Sequence, residues 1–231
     1  MKIINPYIEI WPFNPDAIMR NLELAARCAY KSEGNITNDS AGPFLQKIIK
    51  SGHESVLEHE KITVRFVVDR GISHELVRHR IASLTQESTR YCNYSGNKFG
   101  NEITVIRPFF FNDCRDVSSK QIPHTKLYNW RLACISSETL YFKLIELGAT
   151  PQEARSVLPN SLKTEVVMTA NIREWRHFLR LRCDKAAHPQ MRQVAIPLLF
   201  LLKAQLPVLF GDIPFDQDFC PVNYADVRWR E

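Results

Sequence analysis

"EKITVRFVVDRG" (residues 60–71), followed at once by "ISHELVRHR" (72–80), decides the fold class. Ile62, Val64, Phe66 and Val68 fall on every second position. Successive side chains of a strand point to opposite faces, so this alternation predicts a strand with one buried face. "ISHELVRHR" breaks the alternation and predicts a short helix feeding a polar loop. The same order recurs at "KTEVVMTAN" (163–171), β-branched enough to be a strand, before the helical pattern of "NIREWRHFLRLRCD" (171–184). Strands are thus embedded among helices, and the predicted class is α+β: mixed helices and a small sheet in a single domain, 1–231.

Outward from these segments the pattern is mostly helical. "NPDAIMRNLELAARCAYKS" (14–32) carries Ala17, Met19, Leu22, Ala25, Ala26 and Ala29 near helical spacing, with Asp16 near its start. "DSAGPFLQKIIKSG" (39–52) predicts a second helix closed by Gly52. "EITVIRPFFF" (102–111) is a second strand candidate. "HTKLYNWRLACISSETLYFKLIELG" (124–148), "TPQEARSVLP" (150–159) and "PQMRQVAIPLLFLLKAQLP" (189–207) predict helices. Nothing repeats, and no Gly/Ser linker marks a boundary.

Composition excludes several classes. With 45% hydrophobic and 24% charged residues in 231, the chain has the make-up of a globular protein, not of a disordered one. Asn5, Pro6, Glu9 and Pro12 interrupt the N-terminal apolar residues, so the continuous core of a signal peptide is missing. The apolar run "IPLLFLL" (196–202) is far short of the roughly 18 residues that span a bilayer. The expected location is the cytoplasm, without membrane contact. Cys28, Cys92, Cys114, Cys134, Cys183 and Cys220 form no C-x-x-C pair, which argues for reduced thiols and against a zinc ribbon or disulfide scaffold. A net charge of +5 would attract nucleic acid or a smaller anion alike.

The loop "RHRIASLTQESTRYCNYSG" (78–96) carries the chemistry. Arg78, His79 and Arg80 would point about 100° apart on a helix, so they address different groups. Ser83, Thr85, Gln86, Glu87, Ser88, Thr89 and Arg90 add hydroxyl, amide, carboxylate and guanidinium groups. Planar guanidinium forks suit phosphate oxygens, and the neutral groups suit a polar heterocycle, so the expected ligand is a phosphorylated nucleotide. R-H-R, seven residues, then Ser, here Arg78-His79-Arg80 and Ser88, resembles the signature of the flavin-dependent thymidylate synthases. "SGHESVLEHE" (51–60), "PQEARSVLP" (151–159) and "NIREWRHFLRLRCD" resemble further segments of that family. Thr85-Gln86-Glu87 stands where many members have Asn-Glu, which leaves open whether Gln86 or Glu87 meets the base or the flavin.

The resemblance implies conversion of dUMP to dTMP, with 5,10-methylenetetrahydrofolate giving the carbon and FAD passing on reducing equivalents from NADPH. It implies a homotetramer with active sites built between subunits. For dUMP it implies Glu75, Arg78, Gln86, Glu87, Ser88, Thr89, Arg90, Arg155 and Arg182, with Arg90 and Arg155 toward the phosphate. For FAD it implies His53, Ser55, Arg78, His79, Arg80, Gln86, Asn171, Arg173 and His177. Arg182 is the implied catalytic residue. Its guanidinium is a poor proton acceptor, so its contribution would be to stabilise the N3-deprotonated pyrimidine, whose C5 is then nucleophilic.

Other readings are set against these. No metal is expected: His53 and His59 are six apart and diverge on a helix, unlike the histidines of H-E-x-x-H. Ser88 has no base and orienting partner legible beside it, and hydrogen bonding to dUMP is its expected role. Trp175 and Phe178 are expected in the core, and Cys183 in packing or at the flavin edge. A basic nucleic-acid-binding protein is the alternative class, argued from +5 and "REWRHFLRLR" (173–182). Trp175, Phe178, Leu179 and Leu181 interrupt that basic run, so no nucleic acid partner is expected.

Overall fold

The computed structural model describes residues 1–96, 100–111 and 125–231; Cys114 and His124 lie outside the described residues. Strand β1 (Lys2–Ile4) pairs in parallel with β5 (Thr104–Ile106) as a two-stranded sheet. The larger sheet has the order β4-β6-β3-β2-β7, from β4 (Ala82–Gln86), β6 (Lys163–Asn171), β3 (Lys61–Asp69), β2 (Tyr7–Ile10) and β7 (Asp226–Trp229). β6 alternates burial along its whole length, as a strand with one buried face must. β3 alternates at first and then runs buried over its last four residues.

Helices follow the strands as expected. α3 (Arg70–Leu76) begins on the residue after β3, and α6 (Ile172–Arg182) on the residue after β6. α3 stops at Leu76, so Arg78, His79 and Arg80 lie outside any helix. The stretch 78–96 is not wholly a loop, because Ala82–Gln86 joins the sheet as β4. The second strand candidate is shorter than its sequence suggested, and "TPQEARSVLP" forms only α5 (Pro151–Ala154) and a 3₁₀ turn, Arg155–Val157. Short β1, β2 and β7 were not read from sequence.

Two compact units divide the chain, and they interleave in sequence. The first contains Met1–Pro6, Val67–Leu76 and Thr85–Val166. Its core gathers Tyr94, Ile103, Val105, Cys134, Tyr141, Ala154 and Leu162. α4 (Lys126–Glu146) supplies two of these and starts on Thr125, whose side chain accepts from Tyr128 N and so satisfies an otherwise orphaned amide. Gly71 is a close approach: a Cβ there would stand 2.7 Å from Asn160 Nδ2, on the segment that carries Arg155 toward β6.

The second unit contains Tyr7–Phe66, Val77–Leu84 and Val167–Glu231. α1 (Pro15–Tyr30) is capped by Asn14, whose side chain accepts from Ala17 N. α2 (Ala41–Lys50) ends at Gly52, whose φ of 73° only glycine adopts without strain. Trp175 and Phe178 are fully buried against Phe66, with Trp175 Nε1 donating to Ile62 O at 3.0 Å. Each such side chain contributes about 1.5–3 kcal/mol by leaving water. α7 (Pro189–Gln205) is buried over most of its faces and contains Pro197, which cannot donate to the carbonyl of Gln193 four residues back. That carbonyl accepts instead from Ala225 N at 2.9 Å, one residue before β7, which pairs with β2 from Tyr7↔Asp226 to Ile10↔Trp229.

Candidate active site

In the second unit the polar chemistry collects along α6. The helix starts because Asn171 Oδ1 accepts from Glu174 N at 2.8 Å, and Glu174 in the first turn suits the positive end of the helix dipole. Ile172, Trp175, Phe178 and Leu179 bury one face and fix the helix's rotation. This rotation turns Glu174 and Arg182 toward His79. The His79 ring is buried, packs edge-on against Phe178 at 4.8 Å, and lies near His177. Its Nδ1 lies 3.2 Å from Glu174 Oε1, and Arg182 Nε donates to its Nε2 at 3.0 Å.

These contacts fix the imidazole's proton. Burial, aided by Arg182 and His177, pulls the His79 pKa from 6.5 down to about 4, so the ring is neutral near pH 7. A guanidinium only donates, so Nε2 must be the acceptor and the single ring proton sits on Nδ1, facing Glu174. Burial raises the Glu174 carboxyl above its ordinary value, partly offset by His177.

A cavity of about 450 Å³ opens beside this group, lined by Glu54, Glu58, Ile81, Asn171, Arg173, Glu174, His177 and Arg180. Of the residues expected at FAD, Asn171, Arg173 and His177 line it directly. His53 and Ser55 are exposed at the start of the 3₁₀ turn Glu54–His59 that brings Glu54 and Glu58 to the cavity, with His53 Nδ1 3.1 Å from the Tyr30 hydroxyl. Arg78 and Arg80 are exposed. Arg173 pairs with Glu58 at 2.6 Å, and Arg180 with Asp212 at 3.1 Å. Gln86 is not part of this set; it lies in the first unit, where its Nε2 donates to Ser73 Oγ and Thr164 Oγ1.

His79, Glu174 and His177 also bring ligand atoms within 4.8 Å of one another, the donor types for a divalent cation. Sequence spacing set aside "HESVLEHE" as a metal site and did not reveal this cluster, since residue 79 meets 174 and 177 only through the fold. Its hydrogen bonds oppose a metal: the Nδ1 lone pair carries the proton and the Nε2 lone pair accepts from Arg182, so His79 has none left to give.

The first unit holds a second polar cavity of about 480 Å³, lined by Arg70, His74, Thr89, Arg155, Ser156, Leu158, Pro159, Asn160 and Leu162. Thr89 and Arg155, both expected at dUMP, meet there, with Arg155 Nη1 donating to Thr89 Oγ1 at 3.3 Å. Arg70, His74 and Asn160 were missed by sequence reasoning; Arg70 and His74 reach the cavity because β3 turns directly into α3, and Asn160, just before β6, accepts through its carbonyl from Arg70 N at 3.1 Å. Glu87 is held by Lys163 at 2.9 Å, and Lys163 also meets Glu165 at 2.7 Å. Burial would lower the Lys163 pKa, but hydrogen bonds to Glu165 and Glu87 raise it, so the ammonium persists. Ser88 Oγ accepts from Arg90 N at 3.3 Å, and the exposed Arg90 guanidinium lies 5.4 Å over the Tyr91 ring rather than in the cavity lining. Glu75 is half-buried on α3. Arg78 and Arg182 belong to the second unit.

Residues 15–208 match the family model of the thymidylate synthase complementing proteins. A flavin-dependent thymidylate synthase from Geobacter sulfurreducens is 35% identical over 196 residues, 82% of this chain and 79% of the relative. Another, from Mycolicibacterium gilvum, is 32% identical over 216 residues, 87% of this chain and 82% of the relative. In fold the chain is similar to a UMP/dUMP methylase from Streptomyces cacaoi solved with 5-Br dUMP, with a TM-score of 0.71, 23% identity and coverage of 91% of this chain and 96% of that one. The chain therefore belongs to the thymidylate synthase complementing protein family, whose curated members here are flavin-dependent thymidylate synthases.

Proposed function

We propose that the protein converts dUMP to dTMP, taking the carbon from 5,10-methylenetetrahydrofolate and reducing equivalents from NADPH by way of FAD. The observation that carries this reading is the seating of Arg182, to which the resemblance assigns the catalytic role, against the buried His79 of R-H-R. In that role Arg182 presents a permanent positive charge to a pyrimidine deprotonated at N3, and the partly dry surroundings strengthen the attraction over its value in water. C5 then carries the electron density for attack on the folate's carbon. Arg155, Thr89, Arg70 and His74 supply guanidinium, hydroxyl and imidazole groups fitted to a nucleotide phosphate.

The residues present fit FAD. The α6 cavity joins an amide (Asn171) and an imidazole (His177) with Glu54, Glu58 and Glu174; Arg173 and Arg180 line it already paired with carboxylates, and the exposed Arg78 and Arg80 of the R-H-R turn are the cations that would meet a pyrophosphate. These groups suit a pyrophosphate and a polar ring system. When bound, the flavin supplies the reducing equivalents that the transferred carbon needs to become a methyl group.

Assembly into a homotetramer with shared sites is part of the same reading. Tyr128, Leu132 and Ile135 recur at i, i+4 and i+7 on α4 and are 39%, 48% and 40% exposed, an apolar stripe suited to burial against another copy. Among the described residues no helix is long and apolar enough to cross a membrane. A basic nucleic-acid face on α6 is not supported: Arg176 is fully buried with Asp212 and Glu54, and Arg173 and Arg180 are in ion pairs. The test is direct. The purified protein should be yellow and release tritium from C5-labelled dUMP when supplied with the folate and NADPH; a flavin-loaded protein that releases none would overturn the reading.

A further inference from the structure

We propose that Glu174 is a positioning residue for Arg182, acting through the imidazole of His79. The inference rests on the reading of Arg182 as the group that stabilises the pyrimidine anion. Three side chains form one hydrogen-bonded chain: Glu174 Oε1 to His79 Nδ1 at 3.2 Å, and His79 Nε2 to Arg182 Nε at 3.0 Å. Each link depends on the other. An imidazole by itself can hold its single proton on either nitrogen. With the proton on Nε2, the ring would confront the Arg182 N–H with another donor, and that bond would be lost. Glu174 offers an acceptor only at Nδ1, and so selects the tautomer in which Nε2 is open to the guanidinium. Arg182 is the last residue of α6, and the bond to Nε2 holds one edge of its guanidinium. Anchoring its Nε edge sets the plane of the guanidinium and with it the direction of both terminal nitrogens.

The surroundings support this role. His79 is 5% exposed and Glu174 7%, so water does not substitute readily for either partner. Among the described residues Phe178 packs edge-on against the ring and His177 lies beside it, and burial with the nearby Arg182 guanidinium disfavours a second proton on His79. Neutral His79 is therefore stable under the conditions in which Arg182 acts.

The experiment combines nitrogen NMR of selectively ¹⁵N-histidine-labelled, FAD-loaded protein with steady-state kinetics. Wild type should carry the His79 proton on Nδ1. Glu174→Met and Glu174→Ala, which lack an acceptor, should move proton density to Nε2. Their kcat for dTMP should fall about 10- to 100-fold, the cost of a misplaced catalytic group. The KM for dUMP should stay within about threefold, since Glu174 is not among the residues assigned to dUMP. Glu174→Gln, whose amide oxygen still accepts from Nδ1–H, should restore the tautomer and most of kcat. A wild-type proton on Nε2, or acceptor-free variants that fold, bind FAD and keep both tautomer and kcat, would overturn the proposal. So would a tautomer shift with unchanged kcat. Should flavin-loaded wild type form no dTMP, the functional reading falls, while the tautomer comparison still decides whether Glu174 sets the proton on His79.

Discussion

Arg182 donates through Nε to His79 Nε2 across 3.0 Å, joining the last residue of α6 to a turn 103 positions earlier in the chain. The bond makes a positive side chain depend on a histidine staying neutral, and most of the expected behaviour follows from that dependence.

Stability should fall with acid in a window set by His79. Its pKa is lowered from 6.5 to about 4 on folding, so between those values the unfolded chain binds the proton that the folded chain refuses. The contribution is therefore fully present above pH 6.5 and is lost as pH falls toward 4. Urea midpoints measured from pH 7.5 down to pH 4.5 should decline more steeply for wild type than for His79→Gln. Equal slopes would mean that His79 is not held neutral.

Arg182→Lys should lose most activity although it keeps the charge. Lysine is a point donor and cannot meet both His79 and two atoms of a pyrimidine in one plane. Hydrogen bonds to charged groups are worth about 1.5–3 kcal/mol, so turnover at saturating dUMP should drop roughly 10- to 150-fold. Near-normal turnover would remove Arg182 from catalysis.

Cys183→Ala should keep its chemistry. Burial raises the thiol's pKa far above neutrality, so Cys183 is neither exposed nor ionised as a nucleophile must be. The expected change is a small cavity costing about 1–2 kcal/mol in thermal unfolding, with dTMP formation retained. Loss of turnover in the folded, FAD-loaded variant would contradict a mechanism without a cysteine adduct.

Arg155→Ala should weaken binding of dUMP but not of deoxyuridine, because the residue is assigned to the phosphate. Calorimetric titration of both ligands separates the cases. A parallel loss for nucleotide and nucleoside would place Arg155 elsewhere.

If sites are shared between subunits, with Arg155 and Arg182 of one site from different chains, the two alanine variants should complement. Refolding Arg155→Ala together with Arg182→Ala collects both defects in some sites and leaves others intact, so tritium release should exceed that of either parent refolded alone. Well-mixed, FAD-loaded assemblies no more active than the parental average would assign both arginines to one chain's own site.

The sequence made some of this legible and hid the rest for definable reasons. β3 and β6 announced themselves because nine residues of each carry enough alternation to be seen against chance. β1, β2 and β7 have three or four residues each and gain their identity from partners distant in the chain, as in Tyr7↔Asp226. The same limit governs the site. Thr89, Arg155 and Arg182 could be named by resemblance, and Trp175 and Phe178 as core by their spacing on α6. Arg70, His74 and the pairing of His79 with Glu174 could not, since no local spacing encodes which strand and helix ends converge.

Pro197 carries a consequence of a different kind. By withholding an amide it leaves the Gln193 carbonyl vacant in the wall of a buried helix, and Ala225 N fills it. The vacancy works as an anchor: it ties the chain to the helix one residue before the strand that pairs with β2. Restoring the amide with Pro197→Ala would mend the helix and give that carbonyl a second suitor, so a locally better helix would compete with the anchoring of the strand that follows.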